Sequence, residues 1–362
     1  MRILLYNVTT ALKIGGVETF YISVAKELSK NHDVILCSGA GDKLPDNLKQ
    51  SGIKVSLFNF ISRNKFPNLG NRFRKFLERV SFYLYSKKFI NSSMADILVI
   101  HKPFDFFVGY LLKKHNKHLK VVFVSGGEDF YFFDKFFIKF VDKIISVSNE
   151  NAKILKNRYN KKIDVVANGV DKEKFFPNDS QRNDMRVQLG IKPDEIVFAS
   201  IGRVVGWKGF SLVVKVLLEF KDAKYILCGD GDELDNLKDL AKEIGVFERI
   251  YFIGEVKHQD LNKFINASDI YIQPSIGHEA FGITVIEALS CNKVCVVSDN
   301  GGMRDIIRDG INGFKFKISD INDLKDKIDV ALSKKHILEP RKSIEGLYEW
   351  SSFSNEIVKD FL

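Results

Sequence analysis

Two glutamates eight residues apart carry the strongest chemical signal in this chain. Glu279 lies in Pro274-Ser275-Ile276-Gly277-His278-Glu279-Ala280-Phe281-Gly282, where a strand-like run ends and a helical one opens. Glu287 follows in Val285-Ile286-Glu287-Ala288-Leu289. Eight residues span about 12 Å along a helix axis, so one acid is expected in the loop at the helix mouth and the other about two turns down. Between them, the N–H groups from Phe281 and Gly282 to Ile283 and Thr284 belong to a helix N-terminus. Unpaired donors and the positive dipole end favour an anion there. Carboxylates accept bonds from hydroxyl-rich partners. An anion site flanked by carboxylates reads as a nucleotide-sugar pocket. The plainer reading is a glutamate that only complements the helix dipole.

Two further segments suit an anionic ligand. Gly202-Arg203-Val204-Val205-Gly206-Trp207-Lys208-Gly209-Phe210 follows a strand-like run. Arg203 offers a planar fork and Lys208 a point charge, and together they can clamp a diphosphate; the alternative is a solvated loop with incidental charges. Gly15-Gly16-Val17-Glu18-Thr19 sits between the first strand-like run and an amphipathic helix. Its glycines let the backbone approach a ligand closely. The dinucleotide fingerprint GxGxxG is missing, which counts against a simple dehydrogenase.

The elements that must position these residues follow one rhythm. Apolar runs at 3–6, 34–37, 54–57, 97–100, 121–124 and 144–147 alternate with helical patterns, the first over about 17–30. A second series runs at 196–199, 225–228, 250–253, 270–272 and 294–297. Strands alternating with helices predict parallel α/β sheets. The polar stretch from Asn168 to Glu195, with Pro177 and Pro193, reads as the connection between two domains. The expected division is 1–170, a linker at 171–195, and 196–346.

Bulk properties agree. A chain of 362 residues exceeds what one core usually supports. Cys37, Cys228, Cys291 and Cys295 read as buried small hydrophobes in a reduced, cytosolic compartment; Cys291 and Cys295 lack a second pair at zinc-ligand spacing. Met1–Tyr6 reads as a first strand and not as a signal segment, and no apolar run reaches the roughly 18 residues that span a bilayer. The net charge of +9 calls for anionic partners. It is concentrated at 63–88, where Arg63, Lys65, Arg72, Arg74, Lys75, Arg79, Lys87 and Lys88 face Glu78 alone and aromatic residues interleave. Such a stretch can lie on an anionic membrane, or form a core helix with a solvated basic face. No nucleic-acid module is visible, so nucleic acid is not an expected partner.

GGVET near the start, NGVD at 168–171, GRVVGWKGF, CGDGDELDNL, HEAFGITVIEAL and SDNGGMRDIIRDGINGF occur in that order. On these segments the chain resembles a retaining GT-B glycosyltransferase of family 4, the group 1 transferases. The likeness covers most of the chain and is more specific in the second domain. It implies two Rossmann-like parallel-sheet domains facing a central cleft. The segment 347–362, with Tyr348-Glu349-Trp350-Ser351-Ser352-Phe353, resembles the final helix that crosses back onto the first domain.

The resemblance also implies roles. Arg203 and Lys208 would hold the donor diphosphate and stabilise the leaving nucleotide. Glu287 would bind the ribose hydroxyls and Glu279 the transferred sugar. Phe281, Gly282, Ile283 and Thr284 would offer backbone groups, with Gly15, Gly16, Gly202 and Gly229 completing the donor set. The departing phosphate would help deprotonate the acceptor, so neither a metal nor a cofactor is expected; a UDP- or GDP-sugar is the co-substrate. Asp230-Gly231-Asp232 looks like the DxD metal motif of the other glycosyltransferase fold, but its place in a second α/β domain argues for a turn. Relatives carry a histidine at the end of the strand that here reads Val121-Val122-Phe123-Val124-Ser125. With Ser125 there, His101, Glu128 and Asp129 are the acceptor-side candidates. The implied function is transfer to a glycan or lipid-linked acceptor in bacterial cell-surface polysaccharide or glycolipid assembly. The location would be cytoplasmic, peripheral on the inner face of the membrane. A GT-B-shaped sugar-nucleotide epimerase and a non-catalytic nucleotide-sugar or glycan-binding module are the alternatives.

Overall fold

A computed structural model describes residues 1–12, 15–41, 48, 52–68 and 70–362. The chain divides into two compact units. One comprises Met1–Asn168 with Trp350–Leu362, the other Gly169–Glu349.

The first unit is built on a parallel sheet: β1 (Arg2–Tyr6), β2 (Asp33–Gly39), β3 (Lys54–Phe58), β4 (Ile97–Ile100), β5 (Lys120–Ser125), β6 (Lys143–Ser146) and β7 (Asp164–Val165). Their order is β3-β2-β1-β4-β5-β6-β7. Helices cover both faces, so the central strands are apolar throughout and do not alternate. Ile3–Tyr6 and Ile97–Ile100 have no exposed side chain. Every apolar run named above for this half overlaps a strand, the one at 144–147 running one residue past β6. The two-residue β7 was not foreseen, since its Asp164-Val165 carries no apolar run.

The basic stretch 63–88 resolves into a short 3-10 turn and the start of the helix Asn71–Ser92; residue 69 lies outside the described residues. Most of its aromatic side chains turn inward. Phe82 and Tyr83 are buried, Phe76 packs on Phe107, and Arg79 forms a buried ion pair with Asp105. Arg72, Leu84, Tyr85, Lys87 and Lys88 remain exposed. The stretch is thus a helix with a buried aromatic side and an exposed basic side. The helix Trp350–Val358 packs on the helix Gly16–Leu28 through Phe353 and Trp350 against Phe20, with ring centroids 5.1 and 6.1 Å apart. Lys143 pins its far end, reaching Glu356 at 2.7 Å and Asp360 at 2.6 Å.

The second unit carries β8 (Val197–Ile201), β9 (Lys224–Cys228), β10 (Ile250–Gly254), β11 (Ile270–Gln273), β12 (Val294–Ser298) and β13 (Gly313–Phe316), all parallel in the order β10-β9-β8-β11-β12-β13. Phe198, Tyr225, Ile272 and Val296 anchor its core.

Residues 171–195, read as a linker, belong to the second unit and contain the helix Asp179–Gln188. Asn178 caps it, its side-chain oxygen accepting from the Gln181 amide at 3.0 Å. The polarity that suggested a linker is used internally. Arg182 and Arg186 both reach Asp269 at 2.9 Å, and Arg186, 2% exposed, also donates to the carbonyls of Ala267, Lys192, Pro193 and Glu195. A buried guanidinium is tolerated only when its donors are met in this way.

Candidate active site

In an open α/β sheet, ligands collect at the carboxyl ends of the strands where the strand order reverses. In the second unit that point lies between β8 and β11. Every donor-side candidate of this unit comes from a segment that follows β8, β9 or β11.

Glycines let these segments interlock. A Cβ on Gly229, at φ +146°, would lie 1.9 Å from the Gly202 carbonyl oxygen. On Gly209, at φ +68°, it would lie 2.2 Å from that of Pro274. No other residue fits either position. The Trp207 carbonyl also accepts from the amides of Ile276 and Gly277, at 2.8 and 3.0 Å. The loop after β8 is thereby fixed to the loop after β11.

This brings Lys208 to Glu279, Nζ to Oε2, at 2.5 Å. The Glu279 carboxylate also accepts from Ser275 at 3.4 Å. Behind Ser275 stand Gln273, which donates to its hydroxyl at 3.0 Å, and Tyr271, which donates to Gln273 at 3.1 Å. Burial pushes the Tyr271 hydroxyl well above its usual pKa, so it stays a donor. Arg203 is exposed on the loop after β8 that also carries Lys208.

The helix begins later than an unbroken eight-residue helical interval would require. It spans Ile283–Ser290, with Gly282 at φ 108° before it, and Glu279 lies outside it. Its first backbone bond runs from Val285 to Gly282 at 3.0 Å, so the amides of Ile283 and Thr284 belong to the open first turn. Phe281 is buried against Tyr348.

Glu287 is 2% exposed. Its Oε1 meets His258 Nε2 at 2.6 Å, while Oε2 is buried with no hydrogen-bond partner among the described residues. His258 stands in the short turn after β10, its ring 5.3 Å from that of Phe175. Neither His258 nor the Tyr271–Gln273–Ser275 series was singled out in the sequence. Gln273 did leave a signal, as a polar residue ending the apolar run Ile270-Tyr271-Ile272. Asp230 and Asp232 lie in an exposed turn, and Asp230 Oδ1 accepts from the Gly231 amide at 2.7 Å.

In the first unit the order reverses between β1 and β4, and the remaining candidates lie on the segments that follow β1, β4 and β5. Gly15 precedes the helix Gly16–Leu28, and Glu18 of its first turn accepts from Thr9 at 2.8 Å. His101 ends β4. It is 4% exposed, neither ring nitrogen has a hydrogen-bond partner among the described residues, and its ring packs near those of Phe20 and Tyr21. A Cβ on Gly126 would lie 2.4 Å from His101 Nε2, so the glycine after β5 makes room for the imidazole. Burial, then Lys102 and Arg79, holds the His101 pKa well below its usual value. Asp129 is gripped by Lys102 at 2.8 Å and Lys75 at 3.0 Å. Burial acts to raise its pKa, but the two ammonium groups outweigh it and hold the carboxyl well below the usual range. Glu128 is exposed.

Two family models divide the chain between them. Glycosyltransferase Family 4 matches residues 14–174, and Glycosyl transferases group 1 matches residues 181–346. The chain belongs to the group 1 glycosyltransferases. A D-inositol 3-phosphate glycosyltransferase of Mycobacterium sp. (strain KMS) is 33% identical over 189 residues, 51% of this chain and 42% of that one. An uncharacterized glycosyltransferase of Methanocaldococcus jannaschii, MJ1069, is 26% identical over 96% of this chain and 95% of its own length. For curated relatives such as the mycobacterial one, the chain spans about half of the relative's length. Among solved structures, Anabaena HepE in complex with UDP and glucose superposes with a TM-score of 0.83, at 20% identity and 99% coverage of both chains. This group 1 glycosyltransferase therefore has the GT-B fold, with one Rossmann-like sheet in each unit.

Proposed function

We propose that this group 1 glycosyltransferase moves a sugar, with retention, from a UDP- or GDP-sugar to a glycan or lipid-linked acceptor. The observation that carries the reading is the state of the two glutamates. Glu279 is held by a cation at the mouth of a helix, and Glu287 keeps one buried carboxylate oxygen unpaired. An unpaired buried carboxylate oxygen is costly unless a donor arrives; a ribose hydroxyl supplies one.

In this reading the donor diphosphate lies across Arg203, Lys208 and the open amides of Ile283 and Thr284. The bond from the sugar's anomeric carbon to the phosphate oxygen breaks, and the phosphate takes up negative charge. The two cations and the helix end stabilise that charge where it develops. The acceptor hydroxyl attacks from the same face and passes its proton to the departing phosphate. Glu279 orients the sugar, and Lys208, with three N–H donors, serves both carboxylate and phosphate.

His101 is the preferred acceptor-side group, a neutral imidazole with no hydrogen-bond partner among the described residues. Asp129, bound by two lysines, acts as a strut for its loop. An acceptor on a bacterial surface glycolipid or polysaccharide fits the basic charge of the chain. Among the described residues no helix is long and apolar enough to cross a membrane, so the proposed location is peripheral, on the cytoplasmic face.

The test is calorimetry and nucleoside-diphosphate release with a panel of UDP-, GDP- and ADP-sugars. Binding of one donor with release stimulated by a glycolipid extract supports the proposal. Binding without release under any acceptor would favour a binding module, and conversion of the donor sugar without an acceptor an epimerase.

A further inference from the structure

The segment that leaves β5 is held rigidly from within and apolar on its outside. Tyr131 is 3% exposed and stacks on Phe104 and Phe76, with centroids 4.7 and 5.6 Å apart. Three residues on, Asp134 is fully buried and accepts from Arg158 Nε at 2.8 Å, Arg158 Nη2 at 2.6 Å and the Tyr159 hydroxyl at 3.0 Å. With these two positions anchored inward, their neighbours face solvent. Phe132, Phe133 and Phe136 are 69, 47 and 56% exposed, and the first two rings touch at 4.2 Å. Three phenylalanines presented together by an anchored turn form an apolar patch of the kind that marks an interaction surface.

The charges around the patch select its partner. Lys135 and Lys139 are exposed on the same turn, and Lys139 Nζ lies over the rings of Phe136 and Phe140 at 4.3 and 5.2 Å. Lys114 covers Tyr110 at 4.4 Å, and Tyr110 packs on Phe140 and Phe137. Three nearby acids are already neutralised, Asp134 by Arg158, Asp129 by Lys75 and Lys102, and Asp142 by Lys113, and Glu128 is exposed at the start of the segment. The turn thus pairs bare aromatic rings with uncompensated ammonium groups. At a bilayer interface, rings settle among the upper acyl chains while lysines reach anionic headgroups. The helix Asn71–Ser92 exposes only Leu84 and Tyr85 as large apolar groups, and so offers less.

We propose that the turn Tyr131–Phe140 docks the first unit on an anionic lipid bilayer. The proposal deepens the lipid-linked-acceptor reading and rests on it. The same segment begins at Gly126, against His101, so docking holds the acceptor-side residues of this unit near lipid headgroups.

The experiment is co-sedimentation of the full chain with vesicles of phosphatidylcholine alone, or with phosphatidylglycerol added. Variants F132S/F136S and K135E/K139E are run beside the wild type, and UDP-sugar affinity is measured on all three. The wild type should favour the anionic vesicles at least about tenfold and lose that preference in high salt. Neutralising a lysine should weaken binding roughly fivefold, charge reversal more. F132S/F136S should lower binding about tenfold or more at unchanged donor affinity. Equal sedimentation of wild type and both variants would overturn the proposal. So would failure of the wild type to bind anionic vesicles, including the case where light scattering shows a dimer that F132S/F136S converts to monomer. Donor affinity is read in the absence of vesicles, so loss of that reading and loss of docking are separate results.

Discussion

Glu287 keeps one oxygen on His258 and the other buried with no partner among the described residues. If that second oxygen receives a ribose hydroxyl, Glu287→Gln should weaken donor binding by about 2 kcal/mol, the worth of a hydrogen bond to a charged group. His258→Phe keeps the ring contact with Phe175 but leaves both carboxylate oxygens unanchored. Donor affinity by calorimetry should fall about tenfold, near 1.4 kcal/mol, and the melting temperature should fall with it, because a buried carboxylate loses its partner. An unaltered affinity would make His258 a bystander. His101 gives a pH signature. Its folded-state pKa is depressed, so the unfolded chain binds a proton that the folded chain refuses. Stability is therefore full above the unfolded value of about 6.5 and falls below it, by up to roughly 1.4 kcal/mol per pH unit. Urea titrations between pH 7 and 5 should show this slope reduced in His101→Phe. At this scale the sequence was legible where residues are close along the chain. The pair Glu279 and Glu287 and the cations Arg203 and Lys208 stand in contiguous segments. His258 reaches Glu287 from 29 residues away in a turn without a motif, so only the folded chain could reveal it.

Elements position these groups through glycines at loop crossings. Gly229→Ala would drive a Cβ into the Gly202 carbonyl from a positive φ, and should destabilise the second unit by about 3 kcal/mol. Gly206→Ala meets nothing within 4 Å at a negative φ and should change stability by no more than about 0.5 kcal/mol. Urea denaturation of the two variants checks the contrast. The strands were legible because sheets covered on both faces demand unbroken apolar runs. β7 and β13 were not, being short or carrying polar residues at the sheet edge. The helix Asp179–Gln188 was misread for a related reason. Its inward-facing groups are arginines neutralised by Asp269, and a composition reading cannot tell a buried guanidinium from a solvated one.

For the whole molecule, each unit has its own sheet and core, while the last residues of the chain belong to the first unit. Deleting 350–362 removes Phe353 and Trp350 from Phe20 and frees Lys143. Calorimetry should show the transition of the first unit lowered and that of the second nearly unmoved. The proposed nucleotide-sugar site at the switch point between β8 and β11 can be probed by titrating the full chain with UDP- and GDP-sugars, beside Glu287→Gln and Arg203→Ala. One donor should bind to the wild type, with at least about tenfold loss in each variant. Binding equal in all three proteins, or no binding of any donor to the wild type, would contradict that proposal.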